Sequence, residues 1–135
     1  MRTPFYLWKE IEMLEAYSVN AEVAATSPIP FNNVTLKKGC TVTLSGPATI
    51  ELNKCGVYMV SFDGAAGTET TVQMYKDGVA QPQAQSVGVA LGFTTLVQVP
   101  NNNCGCPCSS PTTLQFMNET ATTFDNVNVV ITKIV

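Results

Sequence analysis

Five cysteines and no histidine set the chemistry open to this chain of 135 residues. Three of the cysteines fall in the run Cys104-Gly105-Cys106-Pro107-Cys108, while Cys40 and Cys55 stand apart. Alternate cysteines can turn thiolates to one side and hold a soft metal, the more so where several copies of a chain meet. Structural zinc sites, however, usually pair their cysteines as Cys-x-x-Cys, and this spacing is wrong for one. Thiols separated by one residue also close only a strained disulfide. Three states stay open: reduced thiols, disulfides within or between subunits that draw on Cys40 and Cys55, and, least favoured, a metal held by Cys104, Cys106 and Cys108.

The lack of histidine removes the commonest general base, proton shuttle and zinc ligand together. No Ser or Cys has a visible base partner, and no Gly-rich loop has phosphate-binding spacing. Neither catalysis nor a cofactor is expected. Asp63 before Gly64, Asp77 in Lys76-Asp77-Gly78 and Asp125 are possible calcium ligands, but their spacing matches no calcium loop and turn chemistry is the better account. Glu69 and Glu119 read as solvated loop residues. Asn33-Val34-Thr35 and Asn118-Glu119-Thr120 match glycosylation acceptors and read as chance matches, because the N-terminus lacks the basic-then-apolar plan of a secretory signal.

Composition narrows the partners. Hydrophobic residues make up 45% of the chain, but charged residues only 13%, with a net charge of −3 and no Lys/Arg cluster. That charged share is about half the usual one of roughly 25%. Nucleic acid and anionic membrane surfaces are therefore poor partners, and no apolar run is long enough to span a bilayer. A neutral polar surface rich in Thr, Asn and Gln fits an exterior largely covered by other protein.

The elements that must position these residues begin with an expected helix over 4–19, with Thr3 as its N-cap and Pro4 at its first position. Leu7, Ile11 and Leu14 form one stripe of it, with Tyr6, Met13 and Tyr17 beside them. Phe5 and Trp8 lie outside this arc. Such a helix either packs on its own domain or, with Phe5, Leu7, Trp8, Ile11, Leu14 and Tyr17 as contacts, anchors the chain to another protein. Residues 21–30, with Pro28 and Pro30, read as a stiff linker. Two units follow: an anchor helix and linker over 1–27 and a β domain over 28–135.

Beyond residue 28, short β-like runs alternate with turn signals, the mark of a sandwich or barrel. They fall at 29–34, 40–44, 48–52, 57–62, 70–75, 79–89, 92–99, 112–117 and 127–135. The strand 57–62 looks buried on both faces and hence central. Lys76-Asp77-Gly78 makes a tight hairpin, and Pro82 assigns 79–89 to an edge. The last run, Val127 to Val135, is so rich in β-branched residues that it requires burial.

Certain segments carry a resemblance to a known family. Ile29-Pro30-Phe31-Asn32 resembles an entry strand, and Gly56-Val57-Tyr58-Met59-Val60-Ser61-Phe62 is similar to a Gly-x-Tyr-x-(Val/Phe)-x-(Phe/Tyr) central strand. With the hairpin at Val72 to Gly78 and the apolar last strand, the order resembles the complement C1q/tumour-necrosis-factor superfamily of jelly rolls over 29–135. In style it is similar to tip domains of exosporium glycoproteins and to modules of bacteriophage virions. The resemblance implies an all-β jelly-roll sandwich, here preceded by the amphipathic helix, and a homotrimer whose axis is lined by Tyr58, Val60, Phe62, Val129, Ile131 and Ile134. A collagen-like stalk is missing. This departure favours a structural virion protein, a head fibre, capsid decoration or tail-tip module, joined to a capsid or tail through residues 1–20. The alternatives are a protein of the spore surface, or a receptor- or glycan-binding module, for which Phe93 and Phe124 are the aromatic candidates.

Overall fold

The computed structural model describes residues 11–100 and 111–135. Its regular elements are strands: β1 (Met13–Val23), β2 (Ser27–Pro28), β3 (Asn33–Lys38), β4 (Val42–Ser45), β5 (Thr49–Leu52), β6 (Gly56–Lys76), β7 (Val79–Val99), β8 (Thr112–Asn118) and β9 (Thr122–Lys133). Every pairing is antiparallel.

The strands β6 and β7 are 21 residues long and serve both layers of a jelly-roll sandwich. The first half of β6 pairs with β9, and its second half with β8, while β7 follows it throughout. One layer therefore runs β3-β1-β9-β6-β7, and the other β4-β5-β8-β6-β7 with β2 added on β8. The pairing of β6 with β7 slips between Ala65 and Thr70, where the small residues Gly64-Ala65-Ala66-Gly67 let the ribbon turn from one layer to the other. At Gly64 a Cβ would sit 3.0 Å from the Asn126 carbonyl oxygen and from Val127 Cγ1, so β9 can approach closely there. Sequence punctuation had split each long strand in two; the hydrogen-bonded ladder joins the halves.

The tight hairpin is present. Asp77 (φ 50) and Gly78 (φ 82) both occupy the left-handed region, as a two-residue turn matching strand twist requires. Asp77 also reaches across to β8, its Oδ1 accepting from Thr113 N at 2.9 Å. Among the described residues the first half of β7 pairs with β6 alone, the edge position that Pro82 tolerates.

The expected helix over 4–19 is not found where the structure describes that segment. Residues 13–19 belong to β1, which lies between β3 and β9. Leu14, Ala16 and Ser18 alternate inward and are buried, a period of two that the helical stripes had masked. Much of the expected linker is likewise inside the sheet, with Ala21↔Phe124 and Val23↔Thr122 in register. Residues 1–10, including Phe5, Leu7 and Trp8, lie outside the described residues, as does the loop holding Cys104, Cys106 and Cys108. Of the expected entry strand at 29–34, residues 29–32 form a connection without strand pairing and 33–34 open β3. There Ile29 and Phe31 are buried, and Ser18 Oγ donates to the Pro30 carbonyl and accepts from Asn32 N, both at 2.8 Å.

The core sits between the layers and centres on stacked aromatics. Phe62 of β6 and Phe116 of β8 face each other across the sandwich at 5.3 Å and 14°, with Phe93 of β7 stacked on both and Phe31 edge-on to Phe116. Such contacts add about 0.5–1.5 kcal/mol each beyond area burial.

Leu14 separates strand from helix experimentally. As a core strand residue, Leu14→Ala lowers the free energy of unfolding by about 2–5 kcal/mol in urea denaturation. Partly exposed Ile11→Ala costs under about 1 kcal/mol. Equal, small effects at both positions would contradict the placement of β1.

Candidate functional site

The layer β3-β1-β9-β6-β7 has one face in the core and one in solvent, and strand register decides which residue goes where. Inward rows are Leu14–Ile131–Val60–Thr95 and Ala16–Val129–Phe62–Phe93. Outward rows are Lys38–Met13–Thr132–Met59–Leu96 and Leu36–Glu15–Val130–Ser61–Thr94.

The residues expected to line a trimer axis divide accordingly. Tyr58, Val60, Phe62, Val129 and Ile131 are all buried within a single copy of the chain, where they fill its own sandwich. Ile134 alone of that set is exposed, at 48%. Among the expected anchor residues, Leu14 is in the core, Tyr17 is half-buried on the outward face and Ile11 is 44% exposed.

What the outward face does present is apolar. Met59 (42% exposed), Leu96 (58%), Ile134 (48%) and Val135 (75%) lie near half-buried Met13, Val57 and Val130. The last residues are tied to this face, Ile134 N donating to the Val57 carbonyl at 2.8 Å. Charge on the described rows lies at Lys38 in the first row, Glu15 in the second and Asp63 in the next. Exposed apolar side chains gathered on one sheet face, here interspersed with Thr132, Ser61 and Thr94, make it a candidate contact surface. The strand 57–62 was expected to be buried on both faces; in a single chain only the Tyr58–Val60–Phe62 face is. Alternation along it was legible, but not which side met the core.

A polar cluster closes one end of this layer. Glu12 Oε2 pairs with Lys54 Nζ at 3.3 Å, and the Tyr58 hydroxyl donates to the Lys54 carbonyl at 2.6 Å. Burial pushes the Tyr58 phenol up to about 12, with the Glu12 charge adding to the rise. Cys55 beside it is disulfide-bonded, and Cys40 is an exposed free thiol.

The remaining candidates resolve into structural roles. Asp77 is a turn residue bonded to Thr113, whereas Asp63 and Asp125 stand exposed on strands. Among the described residues no group of three or more His, Cys, Asp or Glu side chains could hold a metal. Asn118 is fully buried, accepting from Thr70 Oγ1 at 2.6 Å and donating to the Val23, Ala24 and Thr120 carbonyls, so it cannot carry a glycan in the folded chain. Phe124 is buried and Phe93 belongs to the core stack, which removes both as exposed aromatics. Among the described residues no helix is long and apolar enough to cross a membrane.

Comparison with solved structures identifies the architecture. The globular domain of zebrafish complement 1qA protein superposes with a TM-score of 0.68, at 7% identity over 92% of this chain and 97% of that one. Murine APRIL gives 0.69, at 8% identity over 93% of this chain and 100% of that one. The fold is the C1q/tumour-necrosis-factor jelly roll. The same comparison finds the PRD1 vertex protein P5, with a TM-score of 0.65 and 14% identity over 92% of this chain and 97% of that one. No protein-family model and no curated protein sequence matches. None of these three structures is named as an enzyme.

The Tyr58 environment yields a test by alkali. Its folded pKa, about 12, lies above the ordinary 10.0 of a free phenol, so its contribution to stability is complete below pH 10 and is lost as pH rises through about 12. Followed by near-ultraviolet absorbance, Tyr58 ionises about two pH units after an ordinary tyrosine, and Tyr58→Phe removes that late step. Ionisation of every tyrosine near pH 10 would contradict the buried phenol.

Proposed function

We propose that the protein is a structural virion component, a homotrimeric jelly-roll module such as a head fibre, capsid decoration or tail tip. The observation that carries the reading is the outward apolar face around Met59 and Leu96, which in a single chain is exposed to water. Three copies packed around this face remove it from solvent, and the last residues, Ile134 and Val135, go with it. The trimer contact is thus assigned to side chains that alternate with those expected from the sequence.

Attachment to a capsid or tail is assigned to the residues ahead of β1, since β1 itself is committed to the sheet on both sides. Likeness in fold to a vertex protein of phage PRD1 supports a place on a virion. The low charge of the chain supports a surface that is largely covered by protein.

Sedimentation tests the trimer. Wild-type protein sediments as a trimer at micromolar concentration, and the Met59→Glu/Leu96→Glu chain as a folded monomer with an unchanged β-sheet circular dichroism spectrum. Burying such unpaired carboxylates costs several kcal/mol, so association falls by about a hundredfold or more. A monomeric wild type, or a variant that still forms trimers, would overturn the contact.

Deleting residues 1–10 tests the attachment separately. Trimers persist but no longer join the particle; a truncated chain that still assembles onto particles would place the attachment elsewhere.

A further inference from the structure

On the opposite side of the sandwich, the second layer turns to solvent a groove of about 290 Å³ lined by Thr71, Gln73, Tyr75, Gln85, Met117 and Glu119, among others. We propose that this groove is a binding site for a neutral pyranose sugar. The proposal does not rest on the trimer, because it uses a face that the trimer contact leaves free.

The decisive feature is a polar group held ready for a ligand. Gln73 Nε2 donates toward the carbonyl oxygens of Gln81, Ala84 and Met74, the second at 3.2 Å and the third at 3.4 Å. Carbonyls only accept, so this end of the amide is the NH₂ and the opposite end is the acceptor. Among the described residues Gln73 Oε1 and the hydroxyls of Thr71 and Tyr75 make no hydrogen bond within the chain, and none of them is sealed from solvent, so each is open to water or to a ligand in the groove. An acceptor whose rotamer is locked by its own chain binds without the usual loss of side-chain freedom.

The chemistry around that acceptor selects the ligand class. Hydroxyls and amides that both donate and accept, together with the acceptor Glu119, complement vicinal sugar hydroxyls, while Tyr75 and Met117 offer apolar surface to the C–H face of a ring. Among the described residues no lysine or arginine lines the groove, and Glu119 repels anions, which disfavours phosphate and acidic sugars. A single carboxylate is too little for a divalent cation. An added peptide strand finds no free backbone in the floor, because β6 there is paired with both β7 and β8. The volume lies close to the lower end of small-ligand pockets, about 300–1,000 Å³, which suits one or two sugar rings.

The test is a nuclear magnetic resonance titration of the full ¹⁵N-labelled chain with methyl glycosides of glucose and galactose and with N-acetylglucosamine. At least one probe gives saturable shifts at the Gln73 and Gln85 side-chain amides and at the Thr71 and Met117 backbone, with dissociation in the millimolar range. Tyr75→Ala weakens that binding roughly tenfold, equivalent to about 1.4 kcal/mol, and so does the milder change Gln85→Ala at an exposed position that folding does not need. The same shifts in the Met59→Glu/Leu96→Glu chain keep the site even where the trimer reading fails. No saturable shift with any probe, shifts that survive both groove variants, or binding of N-acetylneuraminic acid alone would overturn the proposal.

Discussion

The contact on which the other features depend is the stack of Phe62 on Phe116 across the sandwich, 5.3 Å between ring centroids. It joins the two layers at the centre, and it fixes the register of β6, the strand common to both. Side chains on a strand alternate, so a strand that turns Phe62 inward must turn Ser61 and Met59 outward. Farther along the same strand, Met74 faces Phe116 in register and is buried, which sends Gln73 and Tyr75 to solvent. The apolar face and the polar groove are therefore two consequences of one strand's register. A shift of β6 by one residue would exchange core and surface in both layers.

Burial of β9 is the second constraint. Its β-branched run lies between β1 and β6, with Val127, Val129 and Ile131 turned into the core, so the aggregation hazard visible in the sequence is resolved within one chain. The trimer is not required to cover those side chains. It is required, if formed, to cover their neighbours on the other face, Val130 and Thr132, and the tail at Ile134 and Val135.

The antiparallel β architecture was legible because its signals are local: Asp77-Gly78 demands a tight turn, Pro82 an edge, and the alternation over 57–62 a strand; the jelly-roll order came only from the family resemblance of 29–32 and 56–62. The errors fell where a tertiary partner outweighs local preference. Residues 10–16, Glu-Ile-Glu-Met-Leu-Glu-Ala, are good helix formers, and spacing of Leu7, Ile11 and Leu14 completes a helical stripe. Yet the unpaired edge of β9 offers a ladder to a strand there, and the inward set of that strand, Leu14, Ala16 and Ser18, is too short and too small to stand out as a period of two. The same reasoning explains the missed surfaces. Alternation shows that Met59 and Tyr58 part company, but only the position of the second layer says which one meets water. Tyr75 and Gln73 carried no motif, since their grouping with Glu119 and Gln85 arises from pairing among β6, β7 and β8 and the β8–β9 connection.

The two outward faces differ in a way that separates their roles. On the first layer the most exposed apolar side chains are Met59, Leu96, Ile134 and Val135, which gain by leaving water and specify little by hydrogen bonding; set among Thr132, Ser61 and Thr94, they suit a shape-matched contact with identical copies. On the second layer the groove holds amides, hydroxyls and one carboxylate, groups whose desolvation is repaid only by a partner with matching donors and acceptors. A polar face of that kind gains nothing from blind association, so it stays wet until a complementary ligand arrives. Because β6 sets both faces from one register, the proposed trimer, closed through the first layer, would hold three grooves of the second layer outward. If those grooves take the proposed sugar, weak single-site binding would become avidity toward any partner that repeats the sugar along its surface.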